Sequence, residues 1–128
     1  MASETILVVD DDPVIRKIVS KIVTDAGMIA LSATNGTEAL EKAKIEKIDA
    51  IMLDINMPGI DGVDVLVTLQ IDADTNQIPV MIMTGNSDIK EVIQTLRMGA
   101  RDHILKPFAP EILTRRLKIM MAKATTTA

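Results

Sequence analysis

The sequence has no cysteine, tryptophan or tyrosine, and its one phenylalanine is Phe108. The missing cysteine excludes a disulfide framework and a thiolate metal site. The missing aromatics leave the core to Ile, Val, Leu and Met. Positive charge is sparse as well: 14 Lys and Arg stand against 18 Asp and Glu, for a net charge of −4. That balance argues against a broad basic surface, and no direct nucleic acid binding is expected. No apolar run approaches the ~20 residues that span a bilayer. The opening stretch, "MASETILVVD", has no basic region followed by a cleavable apolar one. A cytoplasmic protein with no membrane association is expected.

What is present points to one layered domain. A chain of 128 residues, 48% of them hydrophobic, can bury a full core. The domain is expected over residues 1–122, with a short disordered tail, "KATTTA", over 123–128. Strand-like runs recur at Thr5 to Val9, Met28 to Ala33, Ala50 to Asp54, Val80 to Thr84 and His103 to Lys106. Most are continuously apolar, as parallel strands covered on both faces are.

Helical patterns separate the strands. Pro13 to Ala26 places Val14, Ile15, Ile18, Val19, Ile22 and Val23 on one face, with Asp12 as its cap, Pro13 in its first turn and Gly27 as its stop. Gly36 to Ile45 is a second helix, and Asp61 or Gly62 to Gln70 a third. Asp88 to Met98 is a fourth, with Ile89, Val92, Ile93 and Leu96 at helical spacing, and Pro110 to Ala122 a fifth. Five βα units predict an α/β fold of the flavodoxin-like (βα)5 type. Its parallel sheet would have order 2-1-3-4-5, with helices on both faces.

The polar residues gather at one edge of that sheet. The first strand runs into Asp10, Asp11 and Asp12; the third ends in Asp54, the fourth in Thr84 and the fifth in Lys106. Ligands of open α/β sheets bind outside the carboxyl ends of the strands, where strand order reverses. With strands one and three adjacent, Asp10, Asp11 and Asp54 would crowd one pocket. Three carboxylates that close repel one another and require compensation. Mg2+ fits, since it takes one or two carboxylates, keeps waters and leaves room for phosphate oxygens; Mn2+ is a natural substitute. Lys106 and Thr84 suit the remaining oxygens of a phosphoryl group. A carboxylate nucleophile, a metal, a lysine and a hydroxyl together suggest an aspartyl-phosphate.

In the order "LVVDDDP", "IMLDINMPGIDG", "VMIMTGN" and "HILKPF", these segments resemble the receiver domains of two-component response regulators, from about Thr5 to Met121. The resemblance implies that Asp54 is the phosphoacceptor, Asp11 a direct Mg2+ ligand and Asp10 a ligand through water. It implies that Asn56 gives its backbone carbonyl to the metal, with Pro58 and Gly59 shaping the turn. Thr84 would hydrogen-bond the phosphoryl group and Lys106 would pair with it, next to a cis Lys106–Pro107 bond. Ile55, Asn56, Gly85 and Asn86 would line the approach of water.

The expected partner is a histidine kinase or histidine phosphotransfer protein. The chain would be a signalling switch that catalyses its own phosphorylation and dephosphorylation, not an enzyme acting on other molecules. Output would pass through a protein-binding surface of helix 4, strand 5 and helix 5, in a monomer or a weak phosphorylation-dependent dimer. One position departs from the family pattern. His103 stands where Tyr or Phe is usual, and two readings stay open: a modified switch residue, or a surface imidazole on an edge strand. The basic residues Arg115, Arg116 and Lys118 are likewise a solvated face or a partner face. Asp102 and Arg116 match positions that support dimers in DNA-binding members.

Other classes fit less well. A haloacid-dehalogenase-type phosphatase needs a second acid where Asn56 stands. An FMN binder needs a Ser/Thr/Gly-rich loop where "DDDPVIRK" stands, and aromatics as well. A receiver fold used purely for interaction, without phosphorylation, is the remaining alternative.

Overall fold

The computed structural model describes residues 3–57, 62–85 and 89–126. Five strands alternate with five helices: β1 (Thr5–Val9), α1 (Pro13–Asp25), β2 (Ile29–Ala33), α2 (Gly36–Ile45), β3 (Ala50–Asp54), α3 (Gly62–Ile71), β4 (Val80–Thr84), α4 (Ile89–Arg97), β5 (Asp102–Leu105) and α5 (Pro110–Thr126). All neighbouring strands pair in parallel, in the order β2-β1-β3-β4-β5. This is the (βα)5 sheet expected from the apolar runs.

Alternation along the strands builds two cores. Leu7, Val9, Ile51, Leu53, Val80 and Ile82 point to one face, where Ala39 and Ala43 of α2 and Val65, Leu66 and Leu69 of α3 cover them. Ile6, Val8, Met52, Met81, Met83 and Ile104 point to the other face, covered by Val19 and Val23 of α1 and by Leu113, Leu117, Met120 and Met121 of α5. Successive strand residues face opposite ways, so a strand buried on both sides has no polar position to spare. That is why β3 and β4 are buried at every residue, including the terminal Asp54 and Thr84.

The local signals act where the sequence puts them. The Asp12 carboxylate accepts the Val14 N–H at 2.9 Å and caps α1. Asn35 caps α2, with Glu38 reaching back to the Thr34 N–H at 2.7 Å. Gly27, with φ at +85°, ends α1 in a backbone region that side chains disfavour.

Two apolar stripes stand partly exposed, and several element bounds shift. Val14 is 62% exposed and Ile18 is exposed too, because six apolar residues make a stripe wider than one sheet face covers. Ile18 instead lines an open groove with Phe108 and Pro110. In α4 the inward residue is Thr95, while Ile89 (69%), Ile93 (44%) and Leu96 (40%) lie exposed. Periodicity marks an apolar stripe but not what the stripe faces. β5 begins at Asp102 and ends at Leu105, so Lys106 lies just beyond it. α5 continues past Ala122 to Thr126, so the tail expected from Lys123 is helical over its first four residues. Lys and Ala favour helix, and each added residue of a formed helix gains a hydrogen bond. Asp61 and Asp88, named as helix starts, lie outside the described residues.

Asp102 and Arg116 pair within the chain, at 2.6 Å (Nη2 to Oδ1) and 3.1 Å (Nε to Oδ2). No helix among the described residues is long and apolar enough to cross a membrane.

Candidate functional site

Strand register assembles the polar residues. β1 and β3 are neighbours with Val9 opposite Leu53, so Asp10 and Asp54, one residue further on each, emerge side by side. β4 lies beyond β3, and Thr84 faces Leu105, which precedes Lys106. The Lys106 N–H donates to the Thr84 carbonyl at 2.7 Å, carrying the β4–β5 ladder one residue past the strand. The Lys106–Pro107 peptide is cis, as the resemblance implies. Asp10, Asp54 and Thr84 are buried, and Asp11 is exposed at the mouth.

Asp10, Asp11 and Asp54 each offer a carboxylate oxygen, and these atoms lie within 4.8 Å of one another. Lys106 reaches between two of them, with Nζ 2.9 Å from Asp10 Oδ2 and 3.4 Å from Asp54 Oδ1. The other Asp10 oxygen accepts the Asp12 N–H at 3.0 Å. Asp54 Oδ1 also accepts the Asn56 N–H at 3.2 Å, so the turn after β3 folds back onto the carboxylate. Pro58, Gly59 and Asn86 lie outside the described residues.

The electrostatics follow from this crowding. Burial pushes the Asp54 carboxyl up to about 6; Lys106 pulls against that rise, and the Asp10 charge adds to it. Burial works to lower the Lys106 ammonium, but the Asp10 hydrogen bond and the charges of Asp54 and Asp10 outweigh it and hold it above the ordinary lysine value. One lysine against three carboxylates leaves a surplus of negative charge. All-oxygen donors at this spacing suit a hard divalent cation.

The rise of the Asp54 carboxyl from 3.8 to about 6 corresponds to roughly 3 kcal/mol at neutral pH, of which screening at the pocket mouth leaves roughly 1–2. The folded state holds this proton more tightly than the unfolded chain. The contribution of this group to stability therefore falls as pH rises from about 4 through about 6. Asp54→Asn keeps an oxygen for the Asn56 N–H and removes the charge. In EDTA near pH 7 its urea midpoint should correspond to a gain of roughly 1–2 kcal/mol, fading as pH drops toward 4. A midpoint at or below wild type near pH 7 would contradict it.

Two residues at this edge escaped the sequence argument. Gly62, the first residue of α3, donates its N–H to the Ile55 carbonyl at 3.1 Å. A Cβ there would collide with Ile55 Cα and stand 2.5 Å from the Asp54 carbonyl oxygen. The sequence offers only a hint of this, a glycine at a helix start soon after the acid. Arg16, on α1, donates from Nη1 to the Asp10 main-chain carbonyl at 2.7 Å. His103 is not drawn into the pocket. It is half-buried on β5 opposite Ile82, two residues before the row that holds Thr84.

The comparisons agree with this geometry. Residues 6–118 match the response regulator receiver domain family. The phosphate regulon transcriptional regulatory protein PhoB of Pseudomonas aeruginosa is 36% identical over 96% of this chain and 54% of its own length. The chain thus spans about half the length of the curated relatives it matches. The chemotaxis protein CheY4 of Vibrio cholerae superposes with a TM-score of 0.88 at 31% identity, covering 93% of this chain and 99% of that one. The receiver domain of the sensor histidine kinase PA1611 of Pseudomonas aeruginosa, solved with magnesium in its active site cleft, gives 0.87 at 25% identity, covering 94% of this chain and 99% of that one. With its sheet order, its acid cluster and a family match over nearly its whole length, the chain belongs to the response regulator receiver domains of two-component signalling.

Proposed function

We propose that this receiver domain accepts a phosphoryl group on Asp54 from a phosphohistidine of a histidine kinase or histidine phosphotransfer protein. The observation that carries the reading is the single Lys106 ammonium placed 2.9 Å from Asp10 and 3.4 Å from Asp54, at the mouth of a three-carboxylate cluster. A carboxylate oxygen of Asp54 attacks phosphorus in line, and the P–N bond breaks with its electron pair passing to the imidazole nitrogen. Lys106 turns from the carboxylates toward the equatorial oxygens of the transferring group, and the Thr84 hydroxyl donates to another. Asp11, Asp54 and the Asn56 carbonyl would hold Mg2+ directly, and Asp10 through water. Bound there, the ion would neutralise negative charge on the carboxylates and on the transferring group. Ile55 and Gly85, buried and exposed respectively, flank the approach of water and set how long the phosphoryl group lasts.

Output passes through α4, β5 and α5. α4 buries only Thr95 and leaves Ile89, Ile93 and Leu96 outward, and Leu105 of β5 is exposed as well. A helix so lightly anchored is the element a local change at Thr84 can move, with His103 as the responding side chain on β5. The PhoB relative is named a transcriptional regulator as a whole protein, so direct contact with DNA stays outside this reading.

Incubation with Mg2+ and acetyl phosphate should add one phosphoryl group by intact mass. The adduct should vanish in EDTA and in Asp54→Asn. In the phosphorylated sample, amide exchange should change over α4, β5 and α5 and stay constant over α2. Absence of any adduct from acetyl phosphate or a phosphohistidine donor would leave a receiver fold that works by interaction alone.

A further inference from the structure

The placement of Arg16 is unexpected on local grounds. It is the fourth residue of α1, and a cation near a helix N-terminus is opposed by the helix dipole. Its guanidinium turns back six residues instead, and Nη1 donates to the Asp10 carbonyl at 2.7 Å. Asp10 is thereby held at three points: Asp12 N–H on one carboxylate oxygen, Lys106 on the other and Arg16 on the main chain. The Asp10 carbonyl and the Asp11 N–H belong to one planar peptide. Fixing that carbonyl fixes the plane from which the exposed Asp11 side chain springs.

We propose that Arg16 is a positioning residue. By tying the Asp10–Asp11 peptide to α1, it sets the direction of the acid pair and so the affinity of the pocket for a divalent cation. This rests on the reading above of the acid cluster as the metal pocket. Arg suits the role because its planar fork fixes the direction of a hydrogen bond, whereas a lysine ammonium is a point charge on a flexible stem. Charge alone acts the opposite way, since removing a cation from beside three carboxylates strengthens the attraction for Mg2+.

The test is Mg2+ binding, by calorimetry or amide shifts, for wild type, Arg16→Lys and Arg16→Met. Salt of about 0.5 M shortens screening to a few ångströms and suppresses the distant charge effect. Both variants should bind Mg2+ at least about threefold more weakly than wild type, while remaining fully folded by melting in EDTA. Equal or tighter binding in either variant overturns the proposal, and binding restored by lysine would mean that any donor to the Asp10 carbonyl suffices and that the direction set by the guanidinium fork does not matter. A lowered melting temperature with unchanged affinity would reduce Arg16 to a structural tie and also overturn it. If wild type itself binds no Mg2+, the metal pocket fails first, and that outcome is distinct from failure of Arg16 alone.

Discussion

Lys106→Met is expected to destabilise the metal-free protein by about 3 kcal/mol near pH 7, because removing one partner of a buried pair strands the other charge. Here it strands two. The Asp10 and Asp54 side chains are 1% and 6% exposed, and Lys106 touches both. Methionine keeps most of the stem's packing, so the loss reports charge. Asp54, already raised to about 6 by burial, should rise further without the ammonium. The deficit should then shrink as pH falls below about 6 and the carboxyl takes its proton. Saturating Mg2+ should recover part of the loss, because an ion bound only by the folded state stabilises it by mass action. Phosphorylation from acetyl phosphate should still be slower by ~10²-fold or more, the usual effect of removing a fixed donor to developing charge. Urea midpoints with and without Mg2+, and single-turnover rates, check both halves. A variant as stable as wild type in EDTA, phosphorylated within about threefold of its rate, would refute the role given to Lys106.

Gly62→Ala should be nearly as severe, for a reason of space. The added Cβ meets only backbone: Ile55 Cα, the Asp54 carbonyl oxygen at 2.5 Å and the Ile55 carbonyl carbon at 3.0 Å. No side-chain rotation relieves such a contact, so α3 must move away or β3 must bend. Overpacking of this kind costs about 3 kcal/mol. The ~1 kcal/mol by which Ala favours a helix over Gly does not offset it. The strain falls on the two residues that fix the direction of Asp54, so phosphorylation should drop more than stability does. Gly27→Ala is the control. Its Cβ would meet nothing within 4 Å, and its φ of +85° is the sole obstacle. It should cost about 1 kcal/mol and leave the phosphorylation rate unchanged. If Gly62→Ala phosphorylates at the wild-type rate, the close approach of α3 to β3 does not position Asp54.

The boundaries of β1, β3, β4 and α2 stand as the sequence implies, since each is a short apolar or capped run closed by a polar residue, a proline or a glycine. β5 is displaced by one residue, because an edge strand has a weaker apolar pattern to mark its ends. The exposed face of α4 was invisible for a different reason. The same stripe of isoleucine and leucine serves a helix that buries it and one that leaves it open. The gathering of Asp10, Asp11, Asp54 and Lys106 at one edge was legible, since every parallel strand points its carboxyl end the same way. Arg16 and Gly62 were not, since one acts through a bond six residues back and the other through the atoms it lacks.

By itself the sequence determined five βα units, an aliphatic two-sided sheet and a set of polar residues, acids among them, at the carboxyl ends of its strands. These follow from side-chain period, turn residues and the cost of ending a buried run in charge. Only the tertiary structure decided that one lysine spans Asp10 and Asp54, that α4 keeps its apolar face outward, and that α3 rests on the backbone of Asp54 and Ile55. Those outcomes depend on distances between segments far apart in the chain, which close packing sets to within an ångström and local pattern does not encode.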